Sequence, residues 1–475
     1  REATLEQSDI EHLSGPRRRR FAISMFMSTK SLFAAWGASL ALSILPRRAT
    51  SSFLRRPAGS VSTDFEDYVR VHRRSYQAGS DEWDMRRQIF EKSLALVQSQ
   101  NGKPDRLWTA GLTGLSDRTD EEVASLKGYS SGGRPQAPAV VGAALVGEDY
   151  HSFDLSMLPP DFTWGSKLKA TSQVIDQASC GSCWAVSSST VLRAHSELFQ
   201  QDRKFSAQQI LACTQNPNQC GGQGGCTGAT AELAMDYVLR NGCATSDEWD
   251  YDGTDESSRC PETSADSNET QPLRSVVPAS FSAASFVDVA HKAGQLGGMS
   301  FGMRGYRRLP ANELAPVMLA LVQKGPVVVS LSAGIEWYVY NRGIMDACEK
   351  DAIIDHAVVL LGFGVGKEGR ERGAKYWHIQ NSWGATWGEL GYVRLFRHDD
   401  AAESEYCGMD YQPEIGSGCK NGPPQVRVCG SCGLLYDVVV PDFELGSNGL
   451  WSSKPFVEQL GEGHNFSVAV AGKAY

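Results

Sequence analysis

The stretch QASCGSCWAVS, residues 177–187, contains two cysteines three positions apart, Cys180 and Cys183. Such pairs occur in redox couples, in halves of zinc sites, and where a cysteine nucleophile stands beside a structural disulfide. The same tetrapeptide, CGSC, recurs at residues 429–432. The pair alone therefore leaves three interpretations open, and the rest of the chain has to decide between them.

The residues around Cys183 favour a nucleophile. The segment CWAVSSSTVLRAHSELF, residues 183–199, predicts one helix that begins at Cys183. A helix N-terminus favours the thiolate, which is the form in which a cysteine attacks. Gln177 would place a side-chain amide next to the Cys183 backbone N–H, and two such donors form an oxyanion hole.

A cysteine nucleophile also needs a base and a group that orients the base. His356 begins an apolar run in IIDHAVVLLGFG, and Asn381 follows it in QNSWGATWGELGY. An amide carbonyl next to the imidazole would hold its tautomer and orientation. The three segments together predict a Cys–His–Asn site.

These three segments resemble the active-site blocks of the papain-like cysteine peptidases, the cathepsin group. The resemblance implies that Cys183 is the nucleophile, that His356 is the general base and acid, and that Asn381 orients the imidazole. Further roles that it implies are an oxyanion-hole donor for Gln177, a shield over the His–Asn hydrogen bond for Trp383, and support beside the nucleophile for Trp184. The thiolate–imidazolium pair is expected to lower the pKa of Cys183 and to raise that of His356.

The resemblance also implies the fold and the substrate-binding residues. The expected fold class is α+β, a papain-like two-lobe fold with a helical left lobe and an antiparallel β-barrel-like right lobe, preceded by a helical propeptide. The substrate-binding residues are expected to be Gly228, Ala229, Thr230 and Asp355. In GCTGATAE, Ala229 stands where the family has a second glycine, so its methyl would crowd the peptide backbone. Ala229, Thr230 and Ala231, together with Ser330 near a position that is often apolar in the family, predict a pocket more polar than one built for Leu or Phe.

An inhibitory propeptide is expected upstream. Residues 65–101 carry apolar side chains at helical spacing and predict a helical hairpin with its turn near residues 78–81. The pattern E82-x3-R86-x2-I89-F90-x2-S93-x3-V97-x3-N101 resembles the interrupted helical motif of cathepsin L-type propeptides, and GLTGLSD, residues 111–117, resembles their second motif. The resemblance implies a zymogen whose own propeptide blocks the cleft until acid or proteolysis removes it.

The predicted organisation has four parts. Residues 1–60 form a leader with a signal peptide at about residues 27–46 and a linker, although a signal anchor is an alternative. Residues 61–150 form the propeptide and a connector, and residues 151–413 the papain-like catalytic domain. Residues 414–475 form a Cys-containing C-terminal extension of unknown role, which could fold over the cleft.

The cysteines predict a disulfide framework made in an oxidising compartment. All 12 of them lie between Cys180 and Cys432. The resemblance pairs Cys180 with Cys226, Cys213 with Cys260, and Cys348 with Cys407, and leaves Cys183 free. A bridge between Cys220 and Cys243 is a candidate, and Cys419 has either Cys429 or Cys432 as its partner. The second CGSC is expected to form a secretory disulfide, with half a zinc site or a dithiol switch as alternatives.

Composition adds bounds on location and partners. The chain has 41% hydrophobic and 21% charged residues and a net charge of −9 at pH 7, which predicts a globular protein and argues against nucleic acid as its main partner. We expect a monomer without metal or cofactor that acts on polypeptide substrates in a lysosome, a vacuole or the extracellular space. Asn268 and Asn465 lie in glycosylation sequons.

The expected function is that of a cysteine endopeptidase made as a zymogen. A papain-like exopeptidase of the dipeptidyl type is an alternative. The chain has no tandem His pair of the kind found in the dipeptide-removing carboxypeptidases of this family, and an aminopeptidase relative would carry an extra domain or mini-chain that blocks the cleft. A non-catalytic peptidase-like binding protein is another, although such proteins usually lose at least one of Gln177, Cys183, His356 and Asn381. A thiol–disulfide oxidoreductase would leave all of these except Cys183 unexplained.

Overall fold

The computed structural model of the protein describes residues 64–127, 153–255, 257, 260 and 297–450. The predicted signal peptide at about residues 27–46, the connector after residue 127, and the sequons at Asn268 and Asn465 lie outside the described residues. No helix in the described part of the chain is both long enough and apolar enough to cross a membrane.

The first described segment, residues 64–127, is helical with one short strand. It consists of helices α1 (Phe65–Val71), α2 (Asp81–Gly102) and α3 (Asp120–Leu126) and of strand β1 (Trp108–Ala110). The predicted helical hairpin is confirmed, and Ser80 caps α2 by accepting a hydrogen bond from the Trp83 backbone N–H. Phe65, Tyr68 and Phe90 form the small core between α1 and α2.

Two ionic contacts, one partly buried and one around the buried Asp117, hold this predicted propeptide segment together. The Arg86 guanidinium on α2 binds the Glu122 carboxylate on α3, and Glu122 also completes a capping box with Thr119. The fully buried Asp117 carboxylate accepts hydrogen bonds from the side chains of Tyr68 and Arg74. Both contacts join α1 or α2 to the segment around α3. They therefore help to position the C-terminal end of α3 and Lys127, which follows it.

The catalytic part has a helical lobe and a sheet lobe. Its helices are α4 (Cys183–Phe199), α5 (Ala207–Cys213), α6 (Ala231–Asn241), α7 (Leu314–Gln323), α8 (Ile335–Tyr338) and α9 (Asp400–Glu405). Its strands are β2 (Phe162–Thr163), β3 (Met303–Arg308), β4 (Val327–Leu331), β5 (Tyr340–Met345), β6 (His356–Val365), β7 (Lys375–Gln380), β8 (Tyr392–Phe396), β9 (Cys407–Asp410), β10 (Val426–Cys429) and β11 (Asp437–Phe443). The combination confirms the α+β class.

One sheet of nine strands organises the sheet lobe. The strand order is β1-β5-β8-β7-β6-β4-β11-β3, and β2 pairs with β6. The pairs are antiparallel except for β5 with β8, and the propeptide strand β1 pairs with β5 at the edge. The strands β4 and β6 are buried along almost their whole length, as expected for the continuous apolar runs VVVSL and HAVVLLGFGV.

Strand β6 belongs to both hydrophobic cores. Its residues Val358 and Leu360 pack in the sheet lobe, whereas Ala357, Val359 and Leu361 pack in the helical lobe next to Cys183. The alternation follows from the two-residue period of a strand. The contact between α4 and β6 is therefore the place where the two lobes meet.

The C-terminal extension is part of this sheet rather than an appendage. Strand β11, which the sequence analysis placed in the extension of unknown role, lies between β4 and β3. Val438 and Val440 from β11 are buried in the sheet core. A cut at the predicted boundary after residue 413 would therefore remove an internal strand.

Two of the predicted disulfides are confirmed and the third is wrong. Cys180 pairs with Cys226, and Cys213 pairs with Cys260. Cys348, however, pairs with Cys432, because β9 and β10 form a hairpin that places Cys407 directly opposite Cys429, to which Cys407 is bonded. The cysteines of the second CGSC thus have two different partners, and they form neither a dithiol switch nor half of a zinc site.

The remaining cysteines also differ from the prediction. Cys220 pairs with Cys419, which excludes both the candidate bridge to Cys243 and the pairing of Cys419 with Cys429 or Cys432. Cys243 is a buried free thiol, as is Cys183. Spacing could not reveal the Cys220–Cys419 bridge because its two ends are 199 residues apart and meet only through the hairpin that follows β9.

The Arg86–Glu122 contact predicts how the propeptide segment responds to acid. Although burial opposes the shift, the Arg86 guanidinium lowers the pKa of Glu122 from 4.5 to about 2. A carboxylate with a lowered pKa stabilises the folded segment above pH 4.5, and this contribution is lost as the pH falls towards 2. In a Cys183→Ala chain, the further change Glu122→Gln should therefore accelerate hydrogen exchange of α2 and α3 at pH 7, with little added effect near pH 2.

Glu91→Gln is the matched control for this measurement, because Glu91 makes an exposed ion pair with Arg87 on the same helix. Equal rates of hydrogen exchange in the Glu122→Gln and Glu91→Gln chains at pH 7 would contradict a stabilising role for the Arg86–Glu122 contact.

Candidate active site

Cys183 stands at the first residue of α4, where the sequence predicted the helix to begin. The backbone N–H groups of the first helical turn and the helix dipole favour a negative charge at this position. The thiol lies close to the backbone N–H groups of Trp184 and of Ala357, the residue after His356. The nucleophile candidate and the base candidate are therefore neighbours, although they come from different lobes.

The imidazole of His356 is held by Asn381 and Trp383. His356 begins β6, and its Nε2 lies 2.8 Å from Oδ1 of Asn381, which follows β7. Since an amide oxygen only accepts, Nε2 carries the proton of this hydrogen bond. The Trp383 ring stacks on the imidazole with their centroids 4.9 Å apart, and His356, Asn381 and Trp383 are all buried. This arrangement is the one that the sequence predicted for these three residues.

The other imidazole nitrogen is free to exchange a proton. Nδ1 of His356 is buried and has no hydrogen-bond partner among the described residues. A buried nitrogen without a partner is unfavourable in a purely structural histidine. Its position next to Ala357, whose N–H the Cys183 thiol approaches, fits proton transfer between Nδ1 and the thiol.

Three hydrogen bonds hold the side-chain amide of Gln177, the predicted oxyanion-hole donor. Its Nε2 donates to the carbonyl oxygens of Cys180 and Leu126, both at 2.7 Å. Its Oε1 accepts a hydrogen bond from the Ser382 hydroxyl, so the amide cannot turn over without losing that bond. The sequence analysis overlooked Ser382, although it lies between the two residues Asn381 and Trp383 that it selected.

The carbonyl at Gln177 belongs to the propeptide segment. Leu126 ends α3, and the next residue, Lys127, places its ammonium 2.9 Å from the Asp355 carboxylate, next to His356. The Lys127 ammonium also lies over the Tyr338 ring at 5.4 Å from its centroid. The end of α3 thus contacts both Gln177, the predicted oxyanion-hole donor, and Asp355, the residue before His356.

Burial shifts the pKa values of the site towards neutral groups. Desolvation raises the pKa of the Cys183 thiol to about 11 and lowers that of the His356 imidazole to about 4. Both directions are opposite to the ones that the sequence analysis expected. The expectation rested on the attraction between the two charges, whereas burial in this structure disfavours both of them.

The predicted substrate-binding residues lie on both sides of Cys183. On one side, the Trp184 indole N–H donates to the carbonyl of Gly225 and so anchors the segment that continues to Gly228 and Ala229. Thr230 is the N-cap residue of α6. On the other side, burial raises the pKa of Asp355, and the ammonium of Lys127 partly offsets this rise. Asp355 also accepts a hydrogen bond from the backbone N–H of Ala333.

Ser330 lies beside a buried charged pair. It is opposite Ala357 in the pairing of β4 with β6, and its hydroxyl donates to the Asp437 carboxylate at 2.8 Å. Arg308 contacts the same carboxylate at 2.9 Å. The polar pocket that the sequence analysis inferred from Ser330 remains a prediction. The described residues contain no group of three or more His, Cys, Asp or Glu side chains arranged to hold a metal ion.

Comparison with known proteins agrees with this geometry. The papain family of cysteine proteases matches residues 158–416, and the cathepsin propeptide inhibitor domain matches residues 65–123. The chain is 26% identical to the cysteine endopeptidase RepA of Oryza sativa subsp. japonica over 74% of this chain and 83% of that protein. It is 27% identical to cathepsin K of Mus musculus over 75% of this chain and 94% of that protein.

Solved structures show the same fold. A recombinant stem bromelain precursor superimposes with a TM-score of 0.54 at 23% identity, over 80% of this chain and 98% of that chain. Procathepsin L 3 from the larval midgut of Tenebrio molitor superimposes with a TM-score of 0.52 at 20% identity, over 80% of this chain and 97% of that chain. The chain belongs to the papain family of cysteine proteases, and it is a peptide-bond hydrolase made as a zymogen with an inhibitory propeptide domain.

Proposed function

We propose that the protein is a cysteine endopeptidase in which Cys183, His356, Asn381 and Gln177 carry out catalysis. The observation that carries this proposal is the hydrogen bond between Gln177 Nε2 and the Leu126 carbonyl. It shows a peptide carbonyl held by the proposed oxyanion-hole donor, next to a cysteine at a helix N-terminus. Relatives named cysteine endopeptidase and cathepsin L-like proteinase support the same activity.

The proposed reaction has two steps. His356 accepts the thiol proton at Nδ1, and the Cys183 thiolate attacks the substrate carbonyl carbon, whose oxygen becomes an oxyanion bound by Gln177 Nε2 and the Cys183 backbone N–H. The C–N bond breaks as His356 protonates the leaving amine, which leaves a thioester on Cys183. Water then attacks the thioester, with His356 as its general base, and the freed thiol is ready for the next cycle.

The propeptide is proposed to keep this reaction off until the cleft opens. Leu126 occupies the position of the carbonyl, Lys127 is paired with Asp355, and the covered pair of Cys183 and His356 is neutral. Removal of the propeptide admits water, which stabilises the thiolate and the imidazolium and moves both pKa values back towards the range in which the pair is charged. Activity from acidic to neutral pH is the expected result.

The proposed location is the secretory pathway, and within it a lysosome, a vacuole or the extracellular space. Five disulfides among the described residues support an oxidising compartment. The enzyme is proposed to act as a monomer on polypeptides, with its propeptide as an intramolecular inhibitor. The proposed leader and propeptide keep the predicted boundaries, residues 1–60 and 61–150. The proposed catalytic domain begins at residue 151 and extends through β11, beyond the predicted boundary at residue 413.

Hydrolysis of a mixture of fluorogenic peptides over a pH series tests the proposed function. Acid-processed protein should hydrolyse them, whereas the unprocessed chain and an acid-processed Cys183→Ala chain should not. Cys243→Ala is the matched control, because Cys243 is the other buried free thiol in the described part of the chain. This control should keep its activity. Turnover that persists in Cys183→Ala would rule out Cys183 as the nucleophile.

The Ser382 hydroxyl predicts a second effect on the rate. Ser382→Ala removes the hydrogen bond that orients the Gln177 amide, so kcat should fall about tenfold while KM stays nearly constant, less than the roughly hundredfold loss expected for Gln177→Ala. Ser189→Ala is a suitable control, because this buried serine donates to the Val186 carbonyl within α4. If Ser382→Ala changed KM and left kcat unaltered, Ser382 would not act through the oxyanion hole.

A further inference from the structure

Strands β9 and β10 form a hairpin, and a long loop, residues 411–425, connects them. The Cys407–Cys429 disulfide closes the base of this hairpin. From there the chain follows the segment that leads to His356: the Met409 carbonyl accepts from the Ala352 N–H at 3.3 Å, and the Asp410 carboxylate accepts from the Ile354 N–H at 3.1 Å. The next part of the loop, residues 413–420, is called the strap below.

The strap touches the wall of the site that is formed by the sheet lobe. Gly416 packs so closely on this wall that a Cβ atom added to it would lie 1.7 Å from the Ile354 carbonyl oxygen and 2.8 Å from the Asp355 Cα. Only a residue without a side chain fits there. Asp355 is the residue that pairs with the propeptide Lys127 and immediately precedes His356, so the strap reaches the edge of the catalytic site.

The strap also binds the opposite wall, in the helical lobe. The Gly221 N–H donates to the Gly418 carbonyl at 2.7 Å, and the Lys420 N–H donates to the Asn218 carbonyl at 3.2 Å. The Cys220–Cys419 disulfide adds a covalent link at the same place. A Cβ atom on Gly221 would lie 2.7 Å from the Gly416 carbonyl oxygen and 3.0 Å from that of Ala229.

One residue of the strap therefore spans the gap between the two walls. Gly416 contacts the backbone at Asp355 on one side and Gly221, which packs on Ala229, on the other. Ala229 and Asp355 are the residues proposed above to bind the substrate. The proposed oxyanion-hole donor Gln177 makes separate contacts, because its backbone N–H donates to the Ser382 carbonyl. An extended peptide that passed between Ala229 and Asp355 would collide with the strap.

We propose that the strap, held by the Cys220–Cys419 disulfide, limits how many substrate residues the enzyme accepts on the amino side of the scissile bond. This inference rests on the proposed function. With the strap in place, the endopeptidase favours bonds near the amino end of a chain, and release of the strap opens the site to chains that extend further. The strap thus limits how far from the amino end of a substrate the endopeptidase cuts.

Three peptides with the same reporter bond test the strap. The first has two residues on the amino side, the second has six, and the third has two on the amino side and four added on the carboxyl side. In the acid-processed wild-type enzyme, kcat/KM for the second should be at least about tenfold below that for the first, while the third should match the first. A penalty on the carboxyl-side extension instead, or no penalty on either, would overturn the proposal.

The double variant Cys220→Ser/Cys419→Ser should raise the ratio of long-peptide to short-peptide kcat/KM by about tenfold. Cys243→Ser is the matched control and should leave the ratio unchanged. Because loss of a disulfide can impair folding, a second variant replaces residues 411–425 with a four-residue Gly/Ser turn and carries Cys220→Ser. A ratio that neither variant changes would show that the strap does not limit the substrate.

Two precautions separate this test from the test of the proposed function. Thiol reagent is removed after activation, and peptide mapping confirms that the Cys220–Cys419 bond is intact in the wild-type sample. Binding of the same three peptides to acid-opened Cys183→Ala chains, with and without the strap, is measured by fluorescence anisotropy. A length penalty in binding without any turnover would support the strap and contradict the proposed catalysis. Turnover without a length penalty would support the proposed catalysis and contradict the role of the strap.

Discussion

The contact between the N-terminus of α4 and the first residues of β6 is the interaction on which the rest of this protein depends. Cys183 belongs to the helical core and His356 opens the central strand of the sheet, so neither lobe contains a complete site. Strand β6 joins them because its alternate residues enter different cores. The geometry of catalysis is therefore set by core packing on both faces of one strand.

Burial at this contact disfavours the charged forms of the Cys183 thiol and the His356 imidazole. A covered thiol and imidazole are both more stable without charge, and the pKa values of Cys183 and His356 are shifted accordingly. The propeptide provides the cover by presenting a backbone carbonyl to Gln177 and an ammonium to Asp355. We therefore propose that inhibition has two physical parts: the propeptide contacts Gln177 and Asp355, and burial of the site favours the neutral forms of Cys183 and His356.

Local sequence was sufficient to predict the components of the site. The helix at Cys183, the strand at His356 and the position of Asn381 each follow from a short segment, and the structure brings them together as expected. The Ser382 hydroxyl was overlooked because its role depends on a residue that is 205 positions away in sequence. The pKa directions of Cys183 and His356 differ from the expectation because burial disfavours both charges, and burial depends on long-range packing that a short segment does not reveal.

Long-range arrangement was the part that the sequence could not provide. The pairing of Cys348 with Cys432 depends on the β9–β10 hairpin, whose own disulfide occupies Cys407. Strand β11 was assigned to a separate extension because its partners, β3 and β4, are distant from it in sequence. The run VVV at residues 438–440 is nevertheless a typical signal for a buried strand. The bridge from Cys220 to Cys419 likewise becomes visible only when both lobes are in place.

Labelling with a peptidyl epoxide, followed by peptide mapping, tests the central claim most directly, because the reagent alkylates an activated thiol. The account predicts one label per molecule, at Cys183, in acid-processed protein, and little labelling of the intact zymogen, where Leu126 and Lys127 cover a neutral thiol. A label on Cys243, or equal labelling of Cys183 before and after processing, would contradict it.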